Sequence, residues 1–226
     1  MRVVLIQGDA TVFSAGNDIG DFQAAPQAQD EPREQQPVWR VLRAIATCPK
    51  PVVAAVCGPA VGVGTTMLLH CDLVYAGDNA AFALPFVNLG LVPEAASSLL
   101  LPQMFGMHRA AEALLMGEPF MAEAALEVGL ANRILPPTEC NAYAQQQAQK
   151  LAAKPLGALM ETKRLLKGGQ QAAVLERMRE KISPSSFMRS INLKEDAALA
   201  SPAAVAKSII HLLENPDKFK AVQQDV

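Results

Sequence analysis

The sequence predicts an α/β fold with a helical C-terminal region, on three observations. Short β-rich apolar runs alternate with helix-spaced stretches through the first part of the chain. From Ala95 onward the spacing is mostly helical. Half of the 226 residues are hydrophobic and only 19% are charged, enough to bury a core and too apolar for general disorder.

The elements follow in order. Val3-Val4-Leu5-Ile6, ended by Gly8-Asp9, reads as a buried strand. "TVFSAGNDIGDF", residues 11–22, is a Gly/Asn/Asp-bearing loop, and residues 23–37, with three prolines and five glutamines, read as a surface insert. Val38, Val41, Leu42 and Ile45 have helical spacing, and Pro49 and Pro51 stop that helix. Val52 to Val56 is a second strand, followed by a glycine turn and an apolar helix to about His70. "LVYA", residues 73–76, is a third strand, and "AFALPF", residues 81–86, a short extended piece. "ASSLLLPQMFG" and "HRAAEALLMG" read as helices closed by glycine. "AEAALEVGLANRI", residues 122–134, reads as helix, Gly129, then a short strand. Helices are expected at 139–153, 157–167, 172–182 and 202–213. The expected division is an α/β core over 1–136 and a helical region over 137–226.

The net charge of −2, the lack of a Lys/Arg run and an aromatic content of 5% argue against nucleic acid as a partner. Four scattered cysteines form no CxxC and three histidines form no HExxH, so no metal site is expected and the thiols read as buried and reduced. No apolar run reaches membrane-spanning length, no signal peptide opens the chain and "QQDV" is no peroxisomal address, so a cytoplasmic protein without membrane contact is expected.

Two strands each run into a glycine-bearing loop, "SAGN" and "GPAVGVG". A strand–turn–helix unit exposes main-chain N–H groups with no acceptor inside the helix. Two such loops side by side could aim two donors at one oxyanion. A phosphate cradle fits less well, since "GPAVGVG" has neither a P-loop Lys-Ser/Thr nor the GxGxxG spacing. Tight helix–strand packing accounts for the glycines equally well.

"VFSAGNDI" followed by "KPVVAAVCGPAVGVGTTMLLHCD", then "AAFALPFVNLGLVPEAASSLLLPQMFG" and "AEAALEVGLANRI", resembles the crotonase (enoyl-CoA hydratase/isomerase) superfamily, over residues 3–167. The subgroup it looks most like is the peroxisomal-type Δ3,Δ2-enoyl-CoA isomerases, with Cys57 and Ala95 departing from the usual Asn and Gly. The resemblance implies a spiral of ββα units with C-terminal helices that assemble homotrimers or hexamers. It also implies an acyl-CoA thioester as ligand, no cofactor beyond the substrate's coenzyme A, and a further strand, turn and helix ahead of Val3. It assigns the oxyanion-hole amides to Asn17 and Val63, and substrate contacts to Ala15, Gly16, Asp18, Ile19, Gly62, Thr66, Phe86 and Leu91.

The two glutamates of family hydratases align with Thr66 and Phe86, neither of which is a carboxylate. The isomerase glutamate aligns with Glu94, which the resemblance makes the base that moves a proton from the α- to the γ-carbon of a 3-enoyl thioester. Phe86, Leu89, Leu91 and Val92 are expected to desolvate that carboxylate and raise its pKa. Read from the residues alone, Glu94 after Pro93 is a helix-start residue complementing the dipole. Asp18 reads as a loop cap or an anchor for the coenzyme A loop, and His70 and His108 as structural or surface residues. Met104, Met107 and Met116 read as core filler, and Lys163 and Arg164 as contacts to coenzyme A phosphates or as an exposed helix face. Hydration, thioester hydrolysis and acyl-CoA binding without catalysis stay open beside isomerisation.

Overall fold

A computed structural model of the chain describes residues 1–17 and 36–180. Strand β1 spans Val4–Gln7, helix α1 Pro37–Ala46, strand β2 Val52–Val56 and strand β3 Pro59–Val61. Helix α2, Val63–Thr66, runs on as a 3₁₀ turn over Met67–His70. Strands β4, Leu73–Gly77, and β5, Ala81–Ala83, come next, then a 3₁₀ turn at Val87–Leu89. Helix α3 is Ser97–Phe105, and α4, Met107–Ala111, continues as a π turn over Glu112–Met116. Strand β6, Phe120–Met121, helix α5, Ala122–Glu127, and strand β7, Arg133–Leu135, complete the α/β part. Helices α6, Pro137–Ala152, α7, Leu156–Gly168, and α8, Gln171–Arg179, follow.

The chain alternates between two sheets. One is all parallel, in the order β1-β2-β4-β7, and the other has the order β3-β5-β6. The successive pairs β2/β3 and β4/β5 each place one strand in either sheet and then enter helix, which is the expected ββα spiral. Strands β3 and β6 are additions to the predicted set; both are too short to carry a period and exist because β5 pairs with each of them.

Strand β2 is apolar at all five positions because it lies between β1 and β4 and is covered on both faces. Its side chains alternate: Ala54 and Val56 join the main core with Phe82, Leu84 and Leu101, while Val53 and Ala55 pack with Cys140 and Ala144 of α6. In α1, Trp39, Leu42 and Ala46 form the buried stripe, Pro37 starts the helix, and Thr47 Oγ donates to Arg43 O at its end.

Two expectations are corrected. Met104, Met107 and Met116 are exposed, Met107 by 67%, on the outer side of the α3–α4 segment. An apolar side chain does not specify its side when the hydrophobic content of a helix is nearly uniform. Lys163 is only 8% exposed: its Nζ donates to Lys50 O at 2.8 Å and pairs with Asp72 at 2.6 Å. Arg164 pairs with Glu161 across the surface of α7. Residues 18–35 and 181–226 lie outside the described residues, so Asp18, Ile19, residues 23–35 of the surface insert and the helix expected at 202–213 are not placed, while Gln36 and Pro37, expected in the insert, cap and open α1.

Candidate active site

The first loop is shaped by Asp9, whose Oδ1 accepts the Thr11 N–H at 2.6 Å, the Thr11 hydroxyl at 2.7 Å and the Val12 N–H at 2.8 Å. The Thr11 hydroxyl and these amides hold the Asp9 carboxyl below its ordinary pKa. The turn delivers Phe13 and Ser14 to β3: both amides donate to Pro59 O, at 3.1 and 3.0 Å, and Val61 N donates to Ser14 O at 2.9 Å.

The glycines mark where the two loops touch. At Gly16, with φ +93°, a Cβ would stand 3.0 Å from Val61 O; at Gly64 it would stand 2.8 Å from Ser14 Cβ. The glycine-rich loop is therefore aimed at its partner loop, and only residues without side chains permit that approach. Ala15, Gly16 and Asn17 end the described part of the first loop.

Gly62, at φ 54°, turns β3 into α2. Its carbonyl accepts the Thr65 and Thr66 amides, at 3.0 and 2.9 Å, and Thr65 Oγ1 donates to Ala60 O at 2.5 Å. Val63 and Gly64 open the helix, where a main-chain N–H has no acceptor within the helix. Thr66 is fully buried, its hydroxyl turned back on Val63 O at 3.5 Å.

The third segment runs from Phe86 to Ser97. Phe86 is buried in the main core and its carbonyl accepts the Leu91 amide at 2.7 Å. Helix α3 begins at Ser97 with no acidic residue in its first turn, so Glu94 is not a helix-start residue. Between them Ala95 and Ala96 take φ of 55° and 57°, a left-handed pair costing about 1–2 kcal/mol per residue. Ser97 closes this turn, its N–H and hydroxyl donating to Glu94 O at 2.9 and 2.6 Å. Ala95 and Ala96 share one apolar cluster with Val63, Leu42 and Ala46 of α1, and Val174 and Met178 of α8. The fold thus joins the turn after Glu94 to the end of the second glycine loop, 32 residues apart by their numbers (95 − 63).

A family model described as enoyl-CoA hydratase/isomerase matches residues 1–191. The chain belongs to the enoyl-CoA hydratase/isomerase family. Among its relatives is a protein of Rattus norvegicus named enoyl-CoA delta isomerase 2, 34% identical over 173 residues, which cover 75% of this chain and 44% of the rat protein. The 2,3-dehydroadipyl-CoA hydratase of Escherichia coli is also 34% identical, over 77% of this chain and 67% of its own. The solved structure of an enoyl-CoA hydratase/isomerase from Pseudoalteromonas atlantica superposes with a TM-score of 0.78 at 40% identity, covering 87% of this chain and 77% of that one. The chain thus spans less than half the length of its rat relative. The expected crotonase fold, and kinship with delta isomerases alongside hydratases, are both borne out.

Family resemblance did not single out His70, Ser97 or Asp72. His70 is 4% exposed and its Nε2 lies 2.9 Å from Ala95 O; a carbonyl only accepts, so Nε2 carries the proton. Asp72 pairs with Lys163 and Lys167, at 2.6 and 2.9 Å, and accepts the Val52 amide at 2.7 Å. A polar residue at the end of the apolar run "MLLH" is the one signal that could have pointed to His70. Burial pushes the Cys71 and Cys140 thiols up to about 12, which makes them poor nucleophiles at neutral pH. Among the described residues no group of three or more His, Cys, Asp or Glu is placed to hold a metal ion, and no helix is long and apolar enough to cross a membrane.

Burial, aided by the Lys167 charge and opposed by the Ala95 carbonyl, lowers the His70 pKa from 6.5 to about 4. The unfolded chain therefore takes up a proton below 6.5 that the folded chain refuses until about 4. This contribution to stability is fully present above pH 6.5 and is lost as pH falls towards 4, by about 3 kcal/mol in all at ~1.4 kcal/mol per unit. Melting temperatures measured between these pH values should fall on acidification, and the His70→Gln variant should lose much of that slope.

Proposed function

We propose that the chain shifts the double bond of a 3-enoyl-CoA thioester to the 2-position. Glu94 takes a proton from C2, and the freed pair forms a C1–C2 double bond as the carbonyl π pair moves onto the thioester oxygen; when the carbonyl re-forms, the C1–C2 pair moves into C2–C3 and the C3–C4 pair takes the same proton back from Glu94 at C4. The negative charge of the dienolate rests on the thioester oxygen, to which the Asn17 and Val63 amides donate. Each such donor contributes about 3 kcal/mol in a dry site. Ala15, Gly16 and Gly62 shape the two loops, and Phe86 and Leu91 bound the acyl chain, with Asp18 and Ile19 continuing the first loop. The reaction needs no cofactor beyond the coenzyme A that the substrate carries. Assembly as a homotrimer or hexamer and a cytoplasmic location belong to the same reading.

The observation that carries it is the choice of acids. At the positions of the hydratase glutamates stand a buried threonine and a buried phenylalanine, whereas Glu94 sits on the turn that packs with Val63. A second reading, hydration of a 2-enoyl-CoA, draws on the name of the equally similar E. coli relative.

Incubation with a 3-enoyl-CoA and, separately, with a 2-enoyl-CoA distinguishes them. The expected result is a conjugated product, read by its ultraviolet absorbance, from the first alone. A 3-hydroxyacyl product from the second would replace isomerisation by hydration, and binding of both without turnover would leave an acyl-CoA-binding protein.

A further inference from the structure

Ala95 and Ala96 are the two non-glycine residues with positive φ among the described residues. Strain of this kind persists only where the surroundings over-determine it. The Ser97 contacts to Glu94 O are local to the turn, and the burial of the two alanine methyls, 2% and 3% exposed, has no direction. The hydrogen bond from His70 is different: it is directional and reaches Ala95 from 25 residues away in the chain. His70 is itself anchored, since its carbonyl accepts Lys167 Nζ at 2.7 Å and Lys167 pairs with Asp72. A continuous polar chain thus runs from α7 through the end of the α2 segment to the residue after Glu94.

We propose that His70 is a positioning residue, whose Nε2–H holds the Ala95 carbonyl and thereby fixes the left-handed turn that presents Glu94 to the reacting carbons. The assignment rests on the reading of Glu94 as the base. An apolar replacement leaves the Ala95 carbonyl without its donor, and the turn relaxes towards ordinary backbone angles. Displacement of a catalytic group by about 1 Å costs on the order of 10²-fold in rate. Substrate binding, which needs no proton transfer, is unaffected.

The test compares wild type, His70→Leu and His70→Gln, with His70→Asn as a further variant should the leucine protein not fold. Glutamine can place an N–H near the Nε2 position, whereas asparagine stops short of Ala95 O. Two readouts are taken: amide hydrogen exchange of the peptide spanning residues 91–101, and kcat and KM for a 3-enoyl-CoA. The expected result is faster exchange at the turn and a kcat about 10–100-fold lower at unchanged KM for the leucine or asparagine protein. Both readouts should return towards wild type with glutamine. Unchanged exchange in the leucine and asparagine proteins overturns the proposal whatever reaction the protein catalyses, and so does a kcat that stays put while exchange quickens. A wild-type protein inert towards 3-enoyl-CoA, whose turn still loosens with leucine and not with glutamine, supports the clamp and overturns the reading of Glu94.

Discussion

Glu94→Gln is expected to lower kcat for double-bond migration by about 10³-fold or more, with acyl-CoA affinity within about twofold of wild type; a positioned general base contributes roughly 10²–10⁴-fold. Glutamine keeps the shape of the side chain and can still donate and accept hydrogen bonds, but it cannot take up the C2 proton at neutral pH. The backbone that carries it is set by Ala95, Ala96 and Ser97, none of which changes. Binding is expected to survive because the contacts assigned to the thioester oxygen are main-chain amides on other loops. Turnover of a 3-enoyl-CoA and calorimetric titration with an acyl-CoA measure the two quantities. A glutamine variant with wild-type turnover removes Glu94 from the mechanism, and one that no longer binds makes it a binding residue.

The second large effect is expected at the contact between the loops. Gly64→Val should reduce kcat by about 10²–10³-fold, the usual consequence of losing one oxyanion donor. A Cβ at this position would meet Ser14 Cβ at 2.8 Å and Ser14 O at 3.1 Å, so the first loop must move away from the second. On the proposed mechanism, the Asn17 and Val63 amides would then no longer converge on one oxygen. Gly157→Ala is the control: nothing lies within 4 Å of a Cβ there, and turnover should stay at the wild-type level. Equal turnover in the Gly64 variant would mean that the pairing of the loops does not serve the reaction.

The two loops of the candidate site were legible because each lies in a short glycine-bearing run. "SAGND" and "GPAVGVG" announce two loops, and the proposed base is the one carboxylate in "GLVPEAASS". The turn after that acid was not legible. Alanine favours helix and carries no sign of a left-handed conformation, so residues 93–97 read as a helix start, whereas the helix begins at Ser97. The left-handed pair is held by His70, by Ser97 and by packing against α1 and α8, all of it tertiary except the Ser97 contacts.

The same division runs through the whole protein. Local order came from the residues themselves: continuous apolar runs for strands buried on both faces, prolines and glycines where helices stop, and glycine wherever two backbones meet closely. Those signals are local because they depend on a side chain's own shape and its immediate neighbours. Partnership between distant residues was decided only in three dimensions. Lys163 was free to be a surface cation until Asp72, 91 residues away, gave it a half-buried partner. Val63 and Ala95 share one cluster with residues of α1 and α8, a contact between surfaces far apart in the chain that no local run of residues specifies.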